Sequence, residues 1–273
     1  MYSYFNIVHI YYTNIQLQLN FKIIQKHDII STLFHIKELF HMSDFFSGEM
    51  GNSLEWFGLS HILLMFGFVL TIIGLILISP KIKNSKYEYI YRIALIVLVV
   101  IFEWNVFENR ILNGSIFRMP LCAVSLYGLT YAVLFKNEKV FKVVYFYIFG
   151  TFLSFLFFDT PWGLDRWGAW TFFGAHATIA WLAVYGYKVL DMKPTIKNFY
   201  QAIIVLAIYA FVSGYAFLKY GGSDELFLFH PAADFLQFLI DIHPAVYVVV
   251  YSSLAVLLMY ITFLPVYLPN RKK

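Results

Sequence analysis

The hydrophobic positions of this chain come in blocks. Apolar runs at about 58–79, 88–108, 119–135, 140–158, 167–188, 197–218 and 244–267 alternate with short polar gaps. Each run is near the ~20 residues that a helix needs to cross the hydrocarbon core of a bilayer. The pattern predicts an all-α polytopic bundle of about seven transmembrane helices, with the third and fourth short and joined by a tight turn over Lys136–Lys142. Residues 1–41 contain no run long enough to span, because Lys22, Lys26, His27, Asp28, Lys37 and Glu38 interrupt them. Two readings of that segment stay open: an amphipathic interfacial helix around 23–40, or a non-native extension ahead of a start at Met42. The remainder, 42–273, reads as one transmembrane helical domain.

The gaps carry a second pattern. Lys81, Lys83 and Lys86, then Lys136, Lys139 and Lys142, then Lys188, Lys193 and Lys197, and finally Arg271, Lys272 and Lys273 occupy alternate gaps and the tail. The intervening gaps hold Arg110 and Arg118, then Asp159, Asp165 and Arg166, then Asp224, Glu225, Asp234 and Asp241. Short cytoplasmic loops collect Lys and Arg, so the expectation is an outside N-terminus and a cytoplasmic C-terminus. An odd number of spans requires the same result. In the long gap 219–243, His230-Pro231 followed by Asp234, Gln237 and Asp241 predicts a short amphipathic helix with Pro231 at its first position, where the missing N–H costs nothing.

Composition narrows the class. The chain is 60% hydrophobic and 21% aromatic, and only 13% charged, against ~25% charged in soluble domains. A soluble protein could not bury so much apolar surface. The net charge of +4 sits in the short gaps, which reads as topology and excludes a nucleic-acid patch. A single cysteine, Cys122, excludes an internal disulfide and any CxxC site. No phosphate loop, zinc-ligand spacing, GxSxG elbow or dinucleotide fingerprint is present, so no metal and no cofactor is expected.

With that topology, the polar residues of the spans gather in the outer half. His61 lies one turn into the first span, Glu103 and Glu108 near the outer end of the second, Cys122 just inside the third, and Asp159 at the close of the fourth. His176 lies nine residues beyond Trp167, roughly 13 Å at 1.5 Å per residue, and His243 opens the seventh span. Ionisable groups inside membrane helices mark functional sites by default. Glu103 and Arg110, seven residues apart, also read as a simple pair on one helix face. His176 shares its face with Ala169, Ala180 and Ala183, small residues that let another helix approach. Cys122 reads either as a small buried hydrophobe or as a nucleophile at a helix start, deprotonated by an imidazole within reach.

Several stretches together carry a resemblance: LEWFGLSHILLMFG, FRMPLCAVSLYG, GAWTFFGAHATI, GYAFLK and IHPAVYVVVY. In their order and spacing, over about 42–267, they resemble the YwaF family of bacterial integral membrane proteins, itself similar to a eukaryotic acyltransferase group that builds ether-linked phospholipids. The resemblance implies a plasma-membrane bundle of six or seven helices and acyl transfer through a Cys and His pair, with Cys122 as nucleophile or acyl carrier and His176 as general base. The expected partners are membrane lipids, with a phospholipid or other acyl donor as substrate. His61, Glu103, Arg118, Asp159, Arg166 and His243 are the expected substrate-binding residues. Two alternatives stay open: a solute or lipid binding or transport protein, with helices interrupted at Gly150, Gly174 or Gly214, and a structural membrane protein without chemistry.

Overall fold

The computed structural model describes residues 44–48, 51–112, 119–221 and 223–271. The expectation for residues 1–41 therefore lies outside the described residues. Among the described residues every regular element is helical: α1 Leu59–Lys83, α2 Glu88–Leu112, α3 Leu121–Leu134, α4 Glu138–Val144, α5 Phe149–Leu156, α6 Trp167–Lys188, α7 Ile196–Tyr220, α8 Gln237–Ile242 and α9 Pro244–Arg271. Each apolar run of the sequence coincides with one of these, or with α4 and α5 together. By length and apolar character five segments are candidate membrane spans: α1, α2, the stretch Glu138–Leu156, α7 and Pro244–Leu268 of α9.

The two remaining runs, α3 and α6, form the interior. Leu129, Ala132 and Val133 of α3 have no exposed surface, nor do Ala169, Leu182 and Tyr185 of α6. Around them α6 packs against α1, α2, α3 and α5. A helix wrapped in protein does not have to match lipid, which is why α6 carries Gly, Ala, Thr and His where the outer helices carry Leu, Ile and Val. The 14 residues of α3 span only ~21 Å, against ~30 Å of hydrocarbon.

Local chemistry explains where the helices end. Thr195 and Asn198 close a reciprocal capping box at the start of α7, and the Asn137 side chain caps α4. The first apolar run ends at about residue 79, yet α1 continues through Pro80 to Lys83. Proline lacks the N–H that would reach the Ile76 carbonyl, and the Ser79 hydroxyl donates to that carbonyl instead, at 2.7 Å. The fourth run is not one helix. It tightens at Tyr145–Ile148 into a 3₁₀ turn whose four side chains are all buried. Gly174 and Gly214 lie inside unbroken α6 and α7.

The long 219–243 segment departs from expectation. Its helix begins as a 3₁₀ turn at Asp234–Leu236 and continues as α8, so Pro231 is outside it. The backbone ahead of Asp234 is engaged elsewhere. The Asp224 carboxylate accepts the N–H groups of Leu228, Phe229 and His230, and the Tyr247 hydroxyl bonds Phe227, His230 and Ala232.

Three of the lysine-rich gaps meet at one end of the bundle, where residues from 83–92, 136–138 and 189–192 line one cavity.

Candidate functional site at the lysine-poor end

Cys122 is the second residue of α3, directly after the Pro120–Leu121 start, and its side chain is partly buried. A helix start directs unpaired N–H groups and the positive end of the helix dipole at such a position. Glu103 and Arg110 of α2 lie within Coulombic range of the thiol.

Between those two residues stands Tyr127 of α3. Its hydroxyl donates to Glu103 Oε2 at 2.7 Å and accepts from Arg110 Nη1 at 3.2 Å. The sequence pairs Glu103 with Arg110 along one helix face; in the structure a tyrosine from the neighbouring helix joins them. Tyr209 of α7 adds a further tie, donating its hydroxyl to the Met119 carbonyl just ahead of α3. Tyr127 and Tyr209 were not among the expected site residues. The available signal was a general one: a phenol in an apolar helix needs a partner for its hydroxyl.

His176 lies in the tenth position of α6 with 8% of its surface exposed. Its Nδ1 is 2.7 Å from the Phe172 carbonyl. A carbonyl can only accept, so Nδ1 carries the proton and Nε2 is left with its lone pair, the state of a general base. The ring lies tilted against Phe172 with centroids 4.6 Å apart. Two residues away, Gly174 leaves the space that the Phe102 ring of α2 fills, so α2 and α6 touch just where Glu103 follows Phe102. Among the described residues no hydrogen bond joins His176 to Cys122, although their helices α6 and α3 pack together.

The other expected residues fare differently. His61 is fully buried and has both ring nitrogens engaged: Nδ1 accepts the Phe57 N–H at 2.9 Å and Nε2 lies 2.6 Å from the Phe155 carbonyl. It staples the start of α1 to the end of α5 and has no nitrogen left for a ligand. His243 is exposed and accepts the Ala245 N–H at 3.1 Å, capping α9. Arg166 reaches Asp165 and the Asp44 carbonyl, while the Asp165 carboxylate receives the Asn52 N–H. Together they tie Asp44 and Asn52 to the start of α6. Asp159 is exposed at the surface. Arg118 lies outside the described residues.

Long apolar helices around a buried core, with polar groups held inside, define an integral membrane protein. Within that class the chain belongs to the TMEM164 family, whose model matches residues 56–263. The match runs from just ahead of α1 well into α9 and includes Glu103, Arg110, Cys122, Tyr127 and His176. No curated protein and no solved structure matches the chain.

Proposed function

We propose that this protein is a membrane-embedded acyltransferase that moves an acyl chain between phospholipids through Cys122. The observation that carries this reading is the placement of the chain's one thiol at the start of α3, beside the Glu103–Tyr127–Arg110 relay, inside a bundle otherwise poor in charge. The resemblance of its motifs to the YwaF family, itself similar to an ether-phospholipid acyltransferase group, supports the same chemistry.

In this mechanism a shift of α3 against α6 carries Nε2 of His176, which makes no hydrogen bond to Cys122 among the described residues, to the thiol; the proton passes to it and the sulfur attacks the ester carbonyl of a donor phospholipid. The ester C–O bond breaks, the lysolipid oxygen leaves with the proton held on His176, and the acyl chain remains as a thioester on Cys122. A hydroxyl of a second lysolipid then attacks the thioester with the same base, restoring the thiol. The amides at the start of α3 hold the developing negative charge. Arg110, anchored through Tyr127 to Glu103, joins Arg118, Arg166 and Glu103, the residues expected to position the headgroup. The full reading has seven spans in the plasma membrane, lysine-rich loops in the cytoplasm, an outside N-terminus, and the Cys122 site in the outer half. Transport through helices interrupted at glycine is the second reading: α6 and α7 run unbroken through Gly174 and Gly214, whereas Gly150 lies just past the 3₁₀ break at Tyr145–Ile148.

The test is acyl exchange by purified protein reconstituted with a labelled phospholipid and an unlabelled lysolipid. The wild type should form a hydroxylamine-sensitive acyl adduct at Cys122, and Cys122→Ala should abolish both adduct and exchange. His176→Ala should slow exchange by about 10²-fold or more. Wild-type exchange by Cys122→Ala would sink the proposal.

A further inference from the structure

At the other end of α3 from Cys122 is a cavity of about 800 Å³. The two sites are separated by the length of that helix, ~20 Å at 1.5 Å per residue. Lys83, Lys86, Arg92 and Lys136 line the cavity together with Glu88 and Glu138. Their pairing leaves positive charge over. Asp191 takes Lys83, and Lys142 takes Glu138 at 2.7 Å. Glu88 alone serves two cations, with Arg92 Nε and Lys136 Nζ each at 3.2 Å. It also accepts the Tyr185 hydroxyl at 2.8 Å. Lys86 lies over the Tyr87 ring, 4.9 Å from its centroid, and meets no carboxylate among the described residues.

Donors are left over as well. Arg92 Nη1 is used by the Leu134 carbonyl at 2.9 Å. Its Nε–H is buried against Glu88 and closed to the cavity, which leaves the Nη2 N–H groups, unbonded among the described residues, as its donors. An ammonium has three N–H donors, of which Lys136 gives one to Glu88.

A surplus of about two positive charges, with unused N–H donors around one cavity, has the chemistry that recognises a phosphate. Part of the wall is apolar, formed by Val189, Leu190 and Met192, which suits the glycerol end of a lipid. Basic pockets at the lysine-rich ends of membrane helices hold anionic headgroups in this way. We propose that this cavity binds the phosphate of an anionic ligand, with Lys86, Lys136 and Arg92 as its donors. The ligand is either a phospholipid headgroup of that leaflet or a soluble phosphate compound. The site is separate from Cys122 and stands on its own charges, so its failure would leave the acyl-transfer proposal untouched.

The test is native mass spectrometry of the full chain released from nanodiscs containing phosphatidylglycerol or phosphatidylcholine. A second arm measures the thermal shift in detergent with inorganic phosphate or pyrophosphate. Preferential retention of phosphatidylglycerol identifies a lipid source; a shift with phosphate or pyrophosphate alone identifies a soluble one. Lys86→Gln and Lys136→Gln should each weaken the effective ligand about fivefold, and the double variant more than tenfold. Lys139→Gln and Lys193→Gln, on the same end but outside the cavity, should change nothing. Helix content and elution volume serve as checks that each variant is folded. Absence of preference for any phosphate ligand in the wild type would overturn the assignment, as would equal losses in the cavity and control variants.

Discussion

Two buried histidines show how little residue type says about role. His61 and His176 both lie in apolar helices, yet the hydrogen bonds of His61 close on backbone at both nitrogens, while among the described residues His176 has only Nδ1 engaged. Replacing His61 by Phe keeps an aromatic ring but strands the buried Phe155 carbonyl, at a cost of about 1–3 kcal/mol, and frees the more exposed Phe57 N–H at a smaller one. His61→Phe should therefore unfold at a clearly lower temperature in detergent while keeping acyl exchange below that temperature; an unchanged melting curve would refute the staple. Tyr127→Phe removes one oxygen and separates Arg110 from Glu103. Hydrogen bonds to charged groups contribute about 1.5–3 kcal/mol, so exchange should fall by ten-fold or more if the relay positions the donor lipid. A drop confined to melting temperature would reassign Tyr127 to stability alone.

At the scale of elements, the close approaches are made by glycine. A Cβ on Gly186 of α6 would run into the Phe141 ring, which is fully buried and cannot swing away. Gly186→Ala should destabilise by about 1–3 kcal/mol through overpacking. Gly74 of α1 has open space beside it, so Gly74→Ala should be neutral or stabilising by up to about 1 kcal/mol. Thermal unfolding of the pair in one detergent separates helix propensity from packing. The 3₁₀ turn at Tyr145–Ile148 works by another route. Its Tyr145 and Tyr147 hydroxyls donate to carbonyls of Thr262 in α9 and Ala202 in α7, so the local tightening is held by neighbours and has no proline to announce it.

At the scale of the molecule, charge asymmetry and architecture agree. The lysine-rich gaps that alternate along the sequence line a single cavity at one end, and Cys122 starts α3 at the other. In a Cys122→Ala background, Pro161→Cys should react with a membrane-impermeant maleimide in intact cells. Asn84→Cys should react only after permeabilisation. Both positions are exposed, and the reverse pattern would invert the proposed orientation.

The sequence determined the helical segments closely, because lipid imposes one simple demand on length and apolarity. The runs at 88–108 and 167–188 became α2 and α6 almost residue for residue. It also determined that polar groups inside those runs require partners. It did not determine which partners, since these come from other helices at large sequence separation. Glu103 and Arg110 read as a pair by spacing, but Tyr127 stands between them, and His61, expected to bind substrate, has its second nitrogen against the Phe155 carbonyl. The amphipathic helix expected at Pro231 starts later for the same reason, its backbone donors having been taken by Asp224 and Tyr247. Which helices form the interior was likewise a tertiary decision. By composition α6 is less lipid-like than its neighbours, and only packing against α1, α2, α3 and α5 makes it the centre of the bundle.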